Sequence, residues 1–278
     1  MKKLWLWMAL MAAFCSSSFA QEGESSEGAK VNLGVACSFS VTDMNEVYLK
    51  NLLYRGKEDE GYANYSSWYL EFSADILPPR ERVSFSAGVR FTNRYAWCEK
   101  PMEDLYWLVN ENGKTCDYVS LSSFSQRNYY LGVPLAFRVF FNSEERRVRP
   151  YLRFEACVDF MLSSANFADI NKERMRDLYE DQIKEELGKP KSVYASASSA
   201  VGIRINCNNF YVNPEIILPR FALADAPISF FDEGKLFMDA GLRVSVQFPV
   251  GKKNEVSAVE TSYSSEIQAE PVMPSEDF

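Results

Sequence analysis

The chain has 278 residues, 47% of them hydrophobic and 14% aromatic, a composition that excludes general disorder. Thirty basic residues against 38 acidic ones leave it acidic, which excludes nucleic acid as an expected partner. No histidine is present, so the side chain that most often activates a serine or a water near neutral pH is missing.

Chain order begins with a segment of export character. Lys2 and Lys3 precede an apolar run from Leu4 to Phe14, then come Ser16, Ser17 and Ser18, and Ala20 stands before Gln21. That pattern predicts a signal peptide over 1–20 with cleavage after Ala20, followed by a short polar lead over 21–29. Cleavage removes two of the 30 basic residues and leaves a mature charge of -10. Cys15 is a poor lipidation site because the bulky Phe14 precedes it. Beyond this run no stretch reaches 18 consecutive apolar residues, so a helical membrane span is excluded on hydropathy and the choice lies between a soluble protein and a barrel.

Period-two alternation then recurs eight times, the signature of strands with one apolar face. The first strand sets Val31, Leu33, Val35, Cys37, Phe39 and Val41 against small and polar residues over 30–41. The second runs from Trp68 to Ile76 and the third from Val83 to Thr92. Strand four covers 128–139, strand five 152–160 and strand six 193–205. The seventh, near 210–218, is the weakest, and the eighth runs from Leu236 to Phe248. Connections alternate as well: 42–66, 98–126, 163–192 and 221–233 are long, whereas 78–82, 142–148 and 207–209 are short.

That asymmetry predicts an all-β fold: an eight-stranded, antiparallel, up-and-down transmembrane β-barrel over 30–248, with long outer loops and short periplasmic turns. A soluble lipocalin-like periplasmic barrel, with its apolar face inward, is the competing architecture. The polar face favours the membrane form, since it carries Ser, Gly, Ala and Asn with sparse Arg instead of the mixed Lys and Glu of a watered surface. Small residues suit the narrow lumen of eight strands. Aromatics collect near strand ends as expected girdles, Trp68, Tyr95, Trp97, Tyr129 and Phe160 at one level and Phe85, Phe140, Phe210 and Phe248 at the other. Pro134 and Pro214 fall inside strands, where a bulge at each is the expected accommodation.

The run Tyr130-Leu-Gly-Val-Pro-Leu-Ala-Phe-Arg-Val-Phe-Phe141, followed by Arg149-Pro-Tyr-Leu-Arg-Phe-Glu-Ala156, resembles the PorT-like outer-membrane β-barrel family of porin-like proteins. The resemblance extends over about 30–248. It implies the outer-membrane barrel fold and no particular chemistry, and it makes Pro134 an expected feature of its strand.

The candidate site is the lumen. Its predicted face holds Arg90, Arg94, Arg138, Arg153, Arg204 and Arg243 with Glu71, Asp75, Glu155, Asp159, Glu215 and Asp239, six charges of each sign. Buried charges must be paired, so these are expected to interlock as a plug, with Arg138 as a cross-strand partner of Arg153 and Glu155. A closed anchor for surface-binding loops is therefore the leading function, with a small-solute transporter or porin-like channel as the alternative. No catalytic, cofactor or metal residues are expected. Cys98 and Cys116 share the second long loop and form a possible disulfide. Asp169 is a candidate cap for a helix through Met175, Leu178, Ile183 and Leu187, stopped by Gly188 and Pro190. Phe248 is the expected terminal aromatic of the assembly signal, and 249–278 reads as a disordered periplasmic tail. The expected partners are outer-membrane lipid, the barrel-assembly machinery and an unidentified extracellular ligand.

Overall fold

A computed structural model describes residues 30–250, except 48, 50, 55–56, 59–60, 79–81, 100–104, 112–113, 143–145, 225–226 and 232–239. The expected signal peptide and most of the expected tail lie outside these residues. In chain order the elements are β1 (Lys30–Val47), β2 (Leu52–Tyr54), β3 (Lys57–Glu58), β4 (Gly61–Leu77), β5 (Val83–Glu99), β6 (Leu105–Glu111), β7 (Lys114–Phe140) and β8 (Val148–Ile170). There follow α1 (Glu173–Glu186), β9 (Val193–Asn206), β10 (Tyr211–Ile217), β11 (Phe221–Ala224) and β12 (Ala240–Val250).

Eight of these strands close a ring. Antiparallel pairing runs β1-β4-β5-β7-β8-β9-β10-β12 and returns to β1, where Val31 faces Val250 and Val41 faces Ala240. These are the eight strands read from alternation, and the seventh, the weakest in sequence, is the seven-residue β10. A ring leaves no open edge among its own strands. The other four strands are short additions at the end where the long connections lie: β6 pairs with the first part of β7, β2 with β6 and β3, and β11 with β9.

Alternation decides which face is inside. On β4 the exposed side chains include Trp68, Leu70 and Phe72, while Tyr69, Glu71, Ser73 and Asp75 are buried. On β12 Leu242, Val244 and Phe248 are exposed, while Arg243, Ser245 and Gln247 are buried. The polar face is thus the interior, the reverse of a lipocalin-like arrangement. Room for that interior comes partly from glycine. A Cβ at Gly132 would stand 2.1 Å from Asp159 Oδ1, and one at Gly202 would stand 2.8 Å from both the Glu215 side chain and the Tyr151 ring.

Three expectations need correction here. Neither proline carries a bulge: Pro134 faces Cys157 in unbroken register, and Pro214 faces Val244 likewise. On the opposite flank of each, pairing lapses and resumes in the same register, between Ala87↔Leu135 and Arg90↔Gly132 and between Val212↔Ile205 and Glu215↔Gly202. The missing N–H is therefore confined to one flank of each strand. Strands also run well into the expected loops: β7 starts at Lys114 instead of 128, and β8 reaches Ile170 instead of stopping at 160. An extra residue at Leu162 shifts the register against β7 and turns the even-numbered residues inward, so that Ile170 ends buried. Asp169, finally, does not cap α1. It pairs with Ser123 inside the sheet and accepts a hydrogen bond from Arg176 at 3.1 Å, while the cap position is Lys172. The helix does stop where expected, with Gly188 at φ +69° and its N–H on Glu185 O at 2.9 Å.

Candidate functional site

The lumen arranges its charges in three tiers. Near the short turns, Asp75 accepts from Arg138 Nη1 and from Arg204 Nη2, both at 2.7 Å. Arg204 Nη2 also donates to Gln247 Oε1 at 2.7 Å and its Nε to Asn213 Oδ1 at 3.0 Å. Arg149, which the sequence reading left out, is buried at this level with its guanidinium 4.0 Å from the Phe140 ring centroid.

The middle tier is a three-by-three lattice. Glu71 is gripped by Arg90 at 2.6 Å and Arg243 at 3.0 Å. Glu155 is held by Arg90 at 2.6 Å and by Arg153 on its own strand. Glu215 takes Arg243 at 2.8 Å and the Tyr151 hydroxyl at 2.7 Å. The top tier is a single pair, Arg94 with Asp159 at 2.5 Å, set against the Tyr194 and Tyr130 rings at 4.1 and 5.0 Å.

Eleven of the twelve charges read from sequence thus lie together in the interior, each no more than 6% exposed, and the twelfth, Asp239, lies outside the described residues. One pairing differs. Arg138 stands directly opposite Arg153, and its close partner is Asp75 on β4. Register places like charges side by side there; Arg138 turns across the lumen to Asp75, while Arg153 is held by Glu155 on its own strand, with Glu215 and Glu71 at 3.8 and 3.9 Å.

Above the charges the interior changes character. Pro227 O accepts from Asn128 Nδ2 and from the Tyr130 hydroxyl, both at 3.0 Å. Ser229 donates its N–H to Gln126 Oε1 at 2.8 Å and its hydroxyl to Leu187 O at 2.6 Å. The chain on either side of Ser229 buries Ile228, Phe230 and Phe231 in an apolar cap with Val47, Leu52, Tyr65, Trp107, Phe124, Ile170 and Ile183. A peptide segment and a hydrophobic core therefore lie over the charged tiers at the end with the long connections. Sequence reading missed this second core because its members are scattered over four connections without periodicity; the run Ile228-Ser-Phe-Phe231 was the one local signal.

Of the remaining candidates, Phe248 is exposed at 53% and faces Leu33 at the far edge of the ring. Cys98 is buried in the cap, and the side chain of Cys116 lies outside the described residues, as does the disulfide expected of them. Phe140 is not a girdle residue. It points inward at 1% exposure and packs with Leu77 and Tyr151 near the short turns. Among the described residues no group of three or more metal-ligating side chains is brought together.

Comparison with known proteins adds little to this geometry. No family model matches the chain and no curated protein matches it. An outer-membrane channel from Pseudomonas putida F1 is similar in structure at a TM-score of 0.24 and 7% identity, over 82% of this chain and 100% of that one, a likeness too slight to carry an argument.

Proposed function

We propose that the chain is an outer-membrane β-barrel with a closed lumen, a rigid anchor that displays its capped outer structure for surface binding. One observation carries this reading: the outside of the ring carries an uncharged, mainly apolar belt. Outward residues run Val31 to Val41 on β1, Trp68 to Ile76 on β4, Val83 to Phe91 on β5, Leu131 to Val139 on β7 and Leu152 to Phe160 on β8, and none is charged. Eight to ten residue steps at about 3.3 Å, tilted by about 40°, give a belt roughly 20–25 Å tall, the height of a lipid-facing band. Its upper rim carries Trp68, Phe91 and Tyr129 with ring centroids 5.8 Å apart, and its lower rim Phe137 beside Phe154 and Phe210 beside Phe248. Beyond the upper rim the outward residues turn to Ser66, Asn64 and Arg127. Tyr95 and Trp97 stack on each other in that polar zone, above the level expected of them.

An apolar surface of this extent is not left in water by soluble proteins. Lipid and the barrel-assembly machinery are the partners it implies, and the resemblance of 130–156 to the PorT-like family accords with it. A porin-like channel needs a watered path, and both the charge lattice and the cap stand across the lumen. The non-enzymatic reading rests on the histidine-free sequence. The test is fractionation followed by planar-bilayer recording. Full-length protein is expected in the outer membrane, to run faster on gels unboiled than boiled, and to hold bilayers at baseline current. Steady single-channel conductance would reject the closed lumen, and recovery in the periplasm would reject the membrane reading.

A further inference from the structure

Just above the belt an outward cation stands without a counter-charge. Register sets Ser66, Tyr95, Arg127 and Ala165 in one row across β4, β5, β7 and β8, and Asn64, Trp97, Ser125 and Phe167 in the next outward row up. On this face Trp97 stacks on Tyr95 with ring centroids 5.1 Å apart, and the Arg127 guanidinium lies over the Tyr95 ring at 5.1 Å from its centroid. The rings position the guanidinium by cation–π attraction. Arg127 is exposed and has no ion pair or side-chain hydrogen bond among the described residues. On the flanking strands the carboxylates that share its face are Glu99 and Asp169, each four residues beyond the position opposite Arg127. That is about 13 Å along the strand at 3.3 Å per residue, too far for a pair. Asp169 is in any case engaged by Arg176 at 3.1 Å.

Height says what meets this cation. Arg127 lies two residues beyond Tyr129 of the upper aromatic rim. The step is about 6.6 Å along the strand, and about 5 Å along the barrel axis at a tilt of about 40°. A bilayer carries a headgroup zone of roughly 5–7 Å on each side of its hydrocarbon, so the guanidinium stands at headgroup height. The anionic group in that zone that matches a planar fork of N–H donors is a phosphate. Tyr and Trp are the side chains that settle at the same level. Directly below, Phe91 and Leu131 face each other on the belt, where acyl chains would lie. We propose that Tyr95, Trp97 and Arg127 form a binding site for a lipid whose headgroup carries an anionic phosphate. The inference rests on the membrane reading and adds to it the class of ligand held at the outer rim.

The test uses the full chain folded in maltoside micelles, which contain no phosphate, with bound lipid counted by native mass spectrometry. Phosphatidylglycerol is expected to bind saturably, and diacylglycerol with the same chains far more weakly. Arg127→Gln removes the charge while breaking no ion pair, and should weaken phosphatidylglycerol binding roughly fivefold, the share of one basic residue at a membrane surface. Arg127→Lys, which keeps the charge but not the fork, should fall between the two. Inorganic phosphate in millimolar excess is expected to leave the lipid in place. Equal binding by wild type and folded Arg127→Gln would overturn the proposal, and so would equal binding of diacylglycerol and phosphatidylglycerol by wild type, a comparison that stands even if a variant does not fold. Displacement by inorganic phosphate would overturn it in favour of a site for the free ion. Each of these outcomes leaves fractionation unchanged, whereas recovery of the chain in the periplasm would reject the membrane reading itself.

Discussion

Removing one lumen charge has a cost set by how many partners its counter-charge keeps. Asp159 has a single ion pair in the described lumen, Arg94, so Arg94→Met strands a buried carboxylate at the top tier. That should cost about 3–5 kcal/mol. Asp75, by contrast, keeps Arg204 when Arg138 is lost, and Arg138→Met should cost distinctly less. Thermal unfolding of the two variants side by side checks the order; the reverse order would mean that the tiers do not act as separate units. Gly132 tests the same tier sterically. Its missing Cβ leaves the space filled by the Asp159 carboxylate, so Gly132→Ala must push that group off Arg94, at a cost of about 1–3 kcal/mol. A melting point unchanged in Gly132→Ala would show that Asp159 can shift freely.

Among the elements, the cap depends on contacts between connections that are distant in sequence. Glu186 at the end of α1 accepts from Trp107 Nε1 at 2.7 Å and from Asn51 Nδ2 at 2.5 Å, so one carboxylate joins three of the four long connections. Trp107→Phe keeps most of the buried ring but removes the donor, which should loosen the cap by about 1–3 kcal/mol. Faster protease cleavage in the connections, with the ring strands left intact, is the expected readout. Elements of this kind were the least legible in the sequence. The ring was readable because period two places every second residue on one face, and the lumen charges came with it since they occupy the alternate positions. The upper half of β8 was not, because Ser163, Ser164, Ala165 and Asn166 have no apolar alternation and the extra residue at Leu162 breaks the phase. Arg149 was passed over because it lies one residue before a proline at the very start of its strand.

At the scale of the whole molecule, exposure alone does not tell lipid from water, and two leucines make the distinction testable. Leu242 on β12 is 65% exposed and Leu178 on α1 is 62% exposed, so in water each would tolerate an exchange for arginine about equally. Their positions differ. Leu242 faces Phe39 and Ile216 within the apolar belt of the ring, whereas Leu178 lies on the helix that covers the capped end. If the belt meets hydrocarbon, Leu242→Arg places a guanidinium in the bilayer and should cost about 2–4 kcal/mol, while Leu178→Arg remains near neutral. Folding each variant into lipid vesicles and scoring the compact form on unboiled gels gives the comparison directly. A soluble ring would show two equal and small effects, and a cap buried against another protein would show the larger effect at Leu178. Only the membrane arrangement makes two residues of the same type and nearly the same exposure diverge in favour of the helix.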